Sequence, residues 1–419
     1  MFIEDIIITI SEYITTRDML SMSIACKYYK KILFSDNSLV KRWFTLRKHI
    51  DSLKFFGTIS YKIYKLNLNG NKNIKDIDFQ YFSNIKSLSM YKCRQETITD
   101  KAFEHLRGIH TLIMSYCDQN TITDKAFEHL QGIHTLIMCE CNQETITDKA
   151  FKHLQGIHTL IMSECNQETI TDKAFENLRG INTLDISYCD QLTITDNAFL
   201  HLKGIYYLNM SGCNQKTITD KAFENLRGIR VLDMSFCTQE TITDKAFENL
   251  KDIHALDISY CTQNTITNNA FPNLKNIYTL HMAYCTQNTI SDKAFENLRG
   301  INTLHIKGCK QETITDKAFE NLKGIYTLDM SYCTQETITD IAFNNLTGIH
   351  ALDMSYCTQE TITDKAFVCL KDIQTLVSYR SNKEHIINKI QFLKYINTTD
   401  RSIFNEKIVC KISNNYNIV

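Results

Sequence analysis

Twelve cysteines stand 24 residues apart: Cys93, Cys117, Cys141, Cys165, Cys189, Cys213, Cys237, Cys261, Cys285, Cys309, Cys333 and Cys357. Thiols can hold a metal or pair as disulfides. A metal centre needs ligands clustered at tetrahedral spacing, and one thiol per 24 residues does not supply that. The even spacing marks one position of a repeat and no disulfide framework. The expected environment is therefore the interior, where a cysteine serves as a small hydrophobe. Cys139 and Cys141 make a Cys-Glu-Cys stretch only because one neighbour of that position is substituted. His110, His134 and His158 recur at the same spacing, as do His105, His129 and His153. Solvent-facing side chains copied with the repeat account for them. The chain shows no Gly-rich phosphate loop, nucleophile–base constellation or H-E-x-x-H pattern. The reading is a chain with no catalytic residues, metal or cofactor.

The elements that carry these positions come from the repeat itself. In the unit starting at Thr97, the near-constant apolar positions are Ile98, Ala102, Phe103, Leu106, Ile109, Leu112, Met114 and Cys117. Ala102, Phe103 and Leu106 share one face of a short helix, whereas Leu112 and Met114 alternate as in a strand. Each unit thus predicts one helix of about two turns and one short strand. Thr99 or Asp100 would cap the helix start. Beyond its end, the column of Gly108 holds only Gly, Asn or Asp, including Asn84, Asp252, Asn276 and Asp372. These residues tolerate positive φ best, which predicts a left-handed cap. Pro272 falls inside a predicted helix and is expected to shorten or distort it.

Neither element can bury its apolar face alone. Stacked units give a parallel sheet on one side and helices on the other. Some thirteen strands about 4.8 Å apart would span roughly 55–60 Å. Residues 229–244 carry the pattern L-x-x-L-x-L-x-x-C followed by I-T-D, with Ile229, Leu232, Met234, Cys237, Ile242, Thr243 and Asp244 in the key places. This resembles a leucine-rich repeat of the cysteine-containing subclass, with a longer loop after the cysteine and a shorter helix. The resemblance implies an α/β solenoid of about 12–13 repeats of 24 residues, with the sheet concave and the short helices convex. The array extends back to residue 64, where Asn69 takes the cysteine place, and forward to residue 381, where Ser381 does. Residues 382–419 leave the register and are expected to cap the open end.

Residues 1–47 differ in texture, and 48–63 join them to the array. Ile6, Ile7, Ile10 and Ile14 trace a helical face, and Met19, Leu20, Met22 and Ile24 start another run. A helical cap for the solenoid is one reading. The segment also resembles an F-box. Phe2 and Ile3 stand at its L-P place, and Asp5 and Ile6 at E-I. Ile10, Tyr13, Ile14, Asp18, Met19, Leu20, Met22, Ser23, Cys26, Lys27, Asp36, Asn37, Leu39 and Lys41 follow in order. The proline is missing, and Tyr29 and Val40 fill the tryptophan places. The resemblance implies that Phe2, Ile3, Asp5, Ile6, Ile10, Ile14, Leu20 and Tyr29 meet a Skp-type adaptor of a cullin ubiquitin ligase. The solenoid would then hold a target protein. F-box/leucine-rich-repeat proteins of the giant-virus kind share this layout and an Ile-, Asn- and Lys-rich composition. The rival expectation is a repeat protein that masks a partner without ubiquitin transfer.

The chain has 419 residues, is 43% hydrophobic and carries a net charge of −1. That balance draws it to neither nucleic acid nor an anionic membrane. No apolar run reaches the ~18–20 residues of a membrane span. Glu4 and Asp5 stand where a secretory signal would be basic. The expectation is an intracellular protein, cytoplasmic or nuclear, with a protein target and no nucleic-acid or membrane partner. The informative column is the strand residue between the two inward ones. It reads Ser89, Ile113, Ile137, Ile161, Asp185, Asn209, Asp233, Asp257, His281, His305, Asp329 and Asp353. It passes from apolar to mostly acidic and runs beside tyrosines. Ile113, Ile137, Ile161, Asp185, Asp233, Asp257, Asp329 and Asp353 are therefore the expected target-binding residues, suited to a basic segment next to an apolar one.

Overall fold

The structure is a computed structural model that describes residues 64–378 and the backbone of Trp43–Thr45. The chain divides into two compact units, one through Ile253 and one from His254. In the first, the described strands are Trp43–Thr45, Lys65–Asn67, Ser87–Ser89, Thr111–Ile113, Thr135–Ile137, Thr159–Ile161, Thr183–Asp185, Tyr207–Asn209 and Val231–Asp233. Each pairs in parallel with the next. In the second, Ala255–Asp257, Thr279–His281, Thr303–His305, Thr327–Asp329, Ala351–Asp353 and Thr375–Val377 do the same. Every strand is three residues long. From Lys65–Asn67 onward the central residue is a leucine, and in most of these strands it points inward and its neighbours outward, as the alternation requires.

The eight apolar positions read from the repeat form the core. In the unit starting at Thr97, all of them are at most 2% exposed. The cysteine column is buried and free of disulfides. Each thiol donates back across the sheet, as Cys117 Sγ does to the Met90 carbonyl at 3.1 Å and Cys141 Sγ to that of Met114 at 3.1 Å. Burial pushes these thiols up, to about 12 for Cys141, Cys237 and Cys309.

The helices are shorter than expected. Asp100–Phe103, Asp124–Phe127, Asp148–Phe151 and Asp172–Phe175 are single α-turns, and most later units use 3₁₀ turns such as Asp220–Asn225. The return segment has only to run back along a three-residue strand, a short crossing. The tighter 3₁₀ form rises faster per residue and suits so short a crossing.

Of the two candidate caps, threonine is the one used. Thr147 is extended and its Oγ1 accepts from Lys149 N at 3.2 Å. The aspartate instead reaches the next unit. Asp124 Oδ1 accepts from Thr147 N at 2.7 Å and Oδ2 from Thr147 Oγ1 at 2.8 Å. The same clamp joins Asp148 to Thr171 and Asp316 to Thr339. One position varies both partners together: Asn268 Oδ1 accepts from Ser291 N at 2.9 Å and its Nδ2 donates to Ser291 Oγ at 2.9 Å. Ser291, so engaged, makes no cap bond.

Three expectations need correction. The column of Gly108 is the third residue of a β-turn and no helix cap. Arg107 has φ −56° and ψ 129°, Gly108 has φ 76°, and Ile109 N donates to the Leu106 carbonyl at 3.0 Å. That is a type II turn, which requires positive φ at its third residue. Asn84, Asp252, Asn276 and Asp372 are not at positive φ. Their turns close with the same bond, as from Ile253 N to the Leu250 carbonyl at 3.1 Å. A type I turn provides that closure without a left-handed residue. Second, Asn69 is exposed, and the cysteine place of its unit is taken by buried Asn71. That unit is two residues short, since Lys65 pairs with Ser87, 22 residues on. Third, Pro272 does not shorten its helix. Asn268–Asn273 is as long as Asp244–Asn249, because the closing bond from Leu274 N to the Phe271 carbonyl, 2.9 Å, needs no N–H from the proline. Ser381 and residues 382–419 lie outside the described residues.

The turn assignment yields a paired test. An alanine Cβ at Gly180, φ 79°, would meet nothing within 4 Å, so the cost of Gly180→Ala is backbone strain alone. It should lower stability in urea unfolding by about 1–2 kcal/mol. Asp252→Ala should change it by less than about 0.5 kcal/mol. Equal losses from the two would mean that one turn type serves the whole column.

Candidate functional site

The outer face of the sheet carries the residues that differ from unit to unit. In the first unit of the fold, Ile113, Ile137 and Ile161 pair side by side and stand half-buried. They form an apolar strip three strands wide. Asp185, Asn209 and Asp233 continue the column in register. In the second unit the column is Asp257, His281, His305, Asp329 and Asp353, again in register and half-buried.

The aspartates do more than face solvent. Asp185 Oδ1 accepts from Ser187 N at 2.9 Å and from Ser187 Oγ at 2.7 Å, and its Oδ2 accepts from Asn209 Nδ2 at 3.1 Å. Asp233, Asp257, Asp329 and Asp353 each accept from the backbone N–H of the serine two residues on. Such a carboxylate fixes the bend that follows the strand. The residue that directly follows the serine, just before the cysteine, sits at positive φ in nearly every unit: 60° at Tyr116, 56° at Tyr188, 60° at Tyr260 and 60° at Tyr356. This second left-handed column escaped the sequence reading, because its residues are mostly aromatic or acidic, types that seldom take that conformation. Gly212 and Gly308 were the available signal. An added Cβ at either would come within 2.5 Å of the Tyr188 or Tyr284 ring. Glycine is there both for its φ and for the ring that lies across it.

Rings stack along the column. Tyr260 and Tyr284 lie 4.7 Å apart, and Tyr332 and Tyr356 4.3 Å apart. Lys307 Nζ stands 5.3 Å from the Tyr332 ring centre, and Lys92 Nζ 4.8 Å from that of Tyr116. On the opposite flank, His110, His134 and His158 stack at 4.5 Å, each Nδ1 beside the hydroxyl of the following threonine. A buried glutamine column was also missed. Gln143 Nε2 donates to the Cys117 carbonyl at 3.0 Å, while its Oε1 meets no protein donor. Glutamine in a polar loop gives no sign of burial until the stacking is known.

His281 and His305 form the tightest stack, with centres 4.1 Å apart and planes 6° from parallel. His281 Nδ1 lies 3.4 Å from Asp257 Oδ2. Burial, then the charge of His281, depresses His305 from 6.5 to about 4. For Asp257, burial acts upward, but hydrogen bonds from His281 and Ser259 outweigh it and hold the carboxyl low. Asp353 is raised, by burial first and with Asp329 adding to it. Among the described residues, no three His, Cys, Asp or Glu side chains converge to hold a metal. No helix there is long and apolar enough to cross a membrane. Phe2, Ile3, Asp5, Ile6, Ile10, Ile14, Leu20 and Tyr29 lie outside the described residues.

A parallel strand ladder returned by single turns, one strand and one turn per 24 residues, defines a leucine-rich-repeat solenoid. The chain belongs to the BspA-type leucine-rich-repeat family, which it matches over residues 25–134, 48–182, 120–254 and 264–393. The likeness drawn to the cysteine-containing subclass therefore holds at the level of the leucine-rich repeat. No curated protein matches the chain. Among solved structures, a leucine-rich-repeat protein of Leptospira interrogans is similar at 14% identity and a TM-score of 0.61, over 80% of this chain and 88% of that one. Toll of Drosophila, in its complex with Spatzle, is similar at 14% identity and 0.58, over 77% and 45%. TLR13, in its complex with ssRNA13, is similar at 18% identity and 0.56, over 75% and 50%. These likenesses concern the fold, and the chain spans about half the length of the Toll and TLR13 chains.

The histidine stack makes stability pH-dependent. An unfolded His305 takes a proton near pH 6.5, the folded one only near 4. The unfolded state binds more protons between those values, so the stability this histidine contributes is lost as pH falls from about 6.5 to 4. Asp257, held low, acts in the same direction at lower pH, and Asp353, raised, opposes it there. His305→Gln should flatten the upper part of the acid dependence in urea melts. A slope between pH 6.5 and 5 unchanged from the parent would rule this origin out.

Proposed function

We propose that the chain is a non-catalytic scaffold that binds a protein partner on the outer face of its strands. One observation carries this reading. The buried columns repeat with little change, whereas the outer column changes in blocks on an otherwise identical frame. Half-buried isoleucines in one unit of the fold, and carboxylates beside stacked tyrosines in the other, supply apolar and polar anchors of the kind protein interfaces use. Spatzle is the partner in the Toll complex, and a protein partner suits this face too. RNA, as in the TLR13 complex, suits it less, since Asp257, Asp329 and Asp353 would repel phosphates. Free buried thiols fit an intracellular setting.

A photo-crosslinking side chain at Ile137 or Asp329 should capture a discrete partner from the source cells, and one at Glu224 or Glu320 on the helix side should not. Capture from the helix side alone would move the binding surface there.

The sequence at residues 2–43 favours a more specific reading: the chain recruits targets to a cullin-type ubiquitin ligase through a Skp-type adaptor, raising the target's effective concentration there. Masking a partner without ubiquitin transfer is the alternative. Under the ligase reading, Ile10→Glu should abolish co-purification with the adaptor and leave the circular dichroism of the solenoid unchanged. Adaptor capture by a chain lacking residues 1–42, with the Trp43–Thr45 strand retained, would refute it.

A further inference from the structure

The second unit of the fold places two imidazoles face to face within a row of carboxylates. His281 and His305 occupy matching positions on adjacent strands, 4.1 Å apart and nearly parallel. The charged groups facing the pair come from every neighbouring strand. Asp257 precedes His281 and lies 3.4 Å from its Nδ1. Asp329 pairs with His305 on the other side, and Asp353 follows one strand further on. Lys307, two residues beyond His305, is the cation on this face, its Nζ turned toward the Tyr332 ring. Among the described residues, Asp329 and Asp353 form no ion pair with lysine or arginine.

The arrangement treats the two imidazoles unequally. His281 has a carboxylate at its Nδ1, so a proton on Nε2 leaves an imidazolium already paired with Asp257. His305 has no such partner, and one of its faces is covered by the His281 ring. A second proton would set two cations face to face at 4.1 Å in a half-buried site. Coulomb repulsion at that distance opposes the stack directly. The low position of His305, near 4, agrees with this order.

We infer that the His281–His305 stack is a proton-operated element of the strand face: the rings stay stacked while at most one of them carries a proton, and the stack opens on loading the second. With both rings neutral, the three carboxylates outweigh Lys307. With both charged, the excess of negative charge is gone, the more so because burial favours the protonated form of Asp353. A surface that repels anions at neutral pH thereby loses that character in acid. The consequence for a partner rests on the strand face being the binding face, but the titration does not, so the two can fail separately.

The test is a pH titration of the full chain labelled with ¹³C at the histidine Cε1, with signals assigned by single His→Gln variants. The two rings should load their protons in separate steps, and the ring-current displacement of both signals should vanish with the second step. His281→Gln should raise the His305 midpoint by at least about half a unit. His281→Asn should do the same, a readout that survives if the glutamine variant folds poorly. A single shared midpoint near 6.5 would overturn the inference. So would a His305 midpoint unmoved in His281→Gln, or a ring-current displacement that persists after both protons are bound.

Discussion

No described unit satisfies all of its own polar groups. The strand N–H groups donate to the next unit, as Met114 N does to Ile137 O at 2.8 Å. The aspartate clamps the next threonine, and the thiol and glutamine reach back to carbonyls 27 and 26 residues earlier. Everything else follows from this borrowing. The apolar face of a unit closes only when its neighbour is in place, and the neighbour must arrive in register for a dozen separate bonds to form. Buried polar groups without partners are costly, so the register is enforced at several points at once. Within each compact unit, alternating inward and outward residues then come out aligned from strand to strand.

Two turns shape the outer face, and in most units both use a left-handed residue. At the far end of the helix, glycine takes the position, and a type I turn replaces it where Asn or Asp stands. At the near end, after the strand, a tyrosine or phenylalanine often takes it instead. The carboxylate of the outer column helps hold that second bend through the serine N–H. The acidic column therefore serves both structure and surface. An aspartate such as Asp329 cannot be exchanged for lysine on the assumption that it only meets solvent. The isoleucine units manage without the carboxylate; there Ser115 Oγ accepts from Cys139 N at 3.1 Å, linking one bend to the next.

The repeat length, the eight core positions, the inward cysteine and the in-register outer column were all legible in the sequence, because apolar periodicity and stacking determine them. What was hidden has a common cause. The aspartate clamp, the glutamine ladder and the ring laid across Gly212 are contacts between units, and a 24-residue pattern shows only what lies within one. Propensity misled at two places: Asn and Asp suggested positive φ at Asp252 and Asn276, and Pro272 suggested a broken helix. In each case a turn closed by one backbone bond accommodated the residue. The outer face could be located but not interpreted, since the stacking of His281 on His305 is a matter of distance and angle that letters do not carry.

The two-residue deficit of the unit beginning at Lys65 bears on how such an array can change. Every bond between the regular units spans a fixed sequence offset. A recombination event that deletes or duplicates 24 residues anywhere among them regenerates the same set of contacts. Unequal exchange there alters the number of rungs and the sequence of outer residues without touching the frame. An exchange that takes in the short unit shifts the offset by two, and Asn71 no longer meets the loop built for it. That unit marks a break in the spacing: beyond it the outer strand face could be lengthened, shortened or reshuffled by whole rungs with the same contacts, and within it the offset differs.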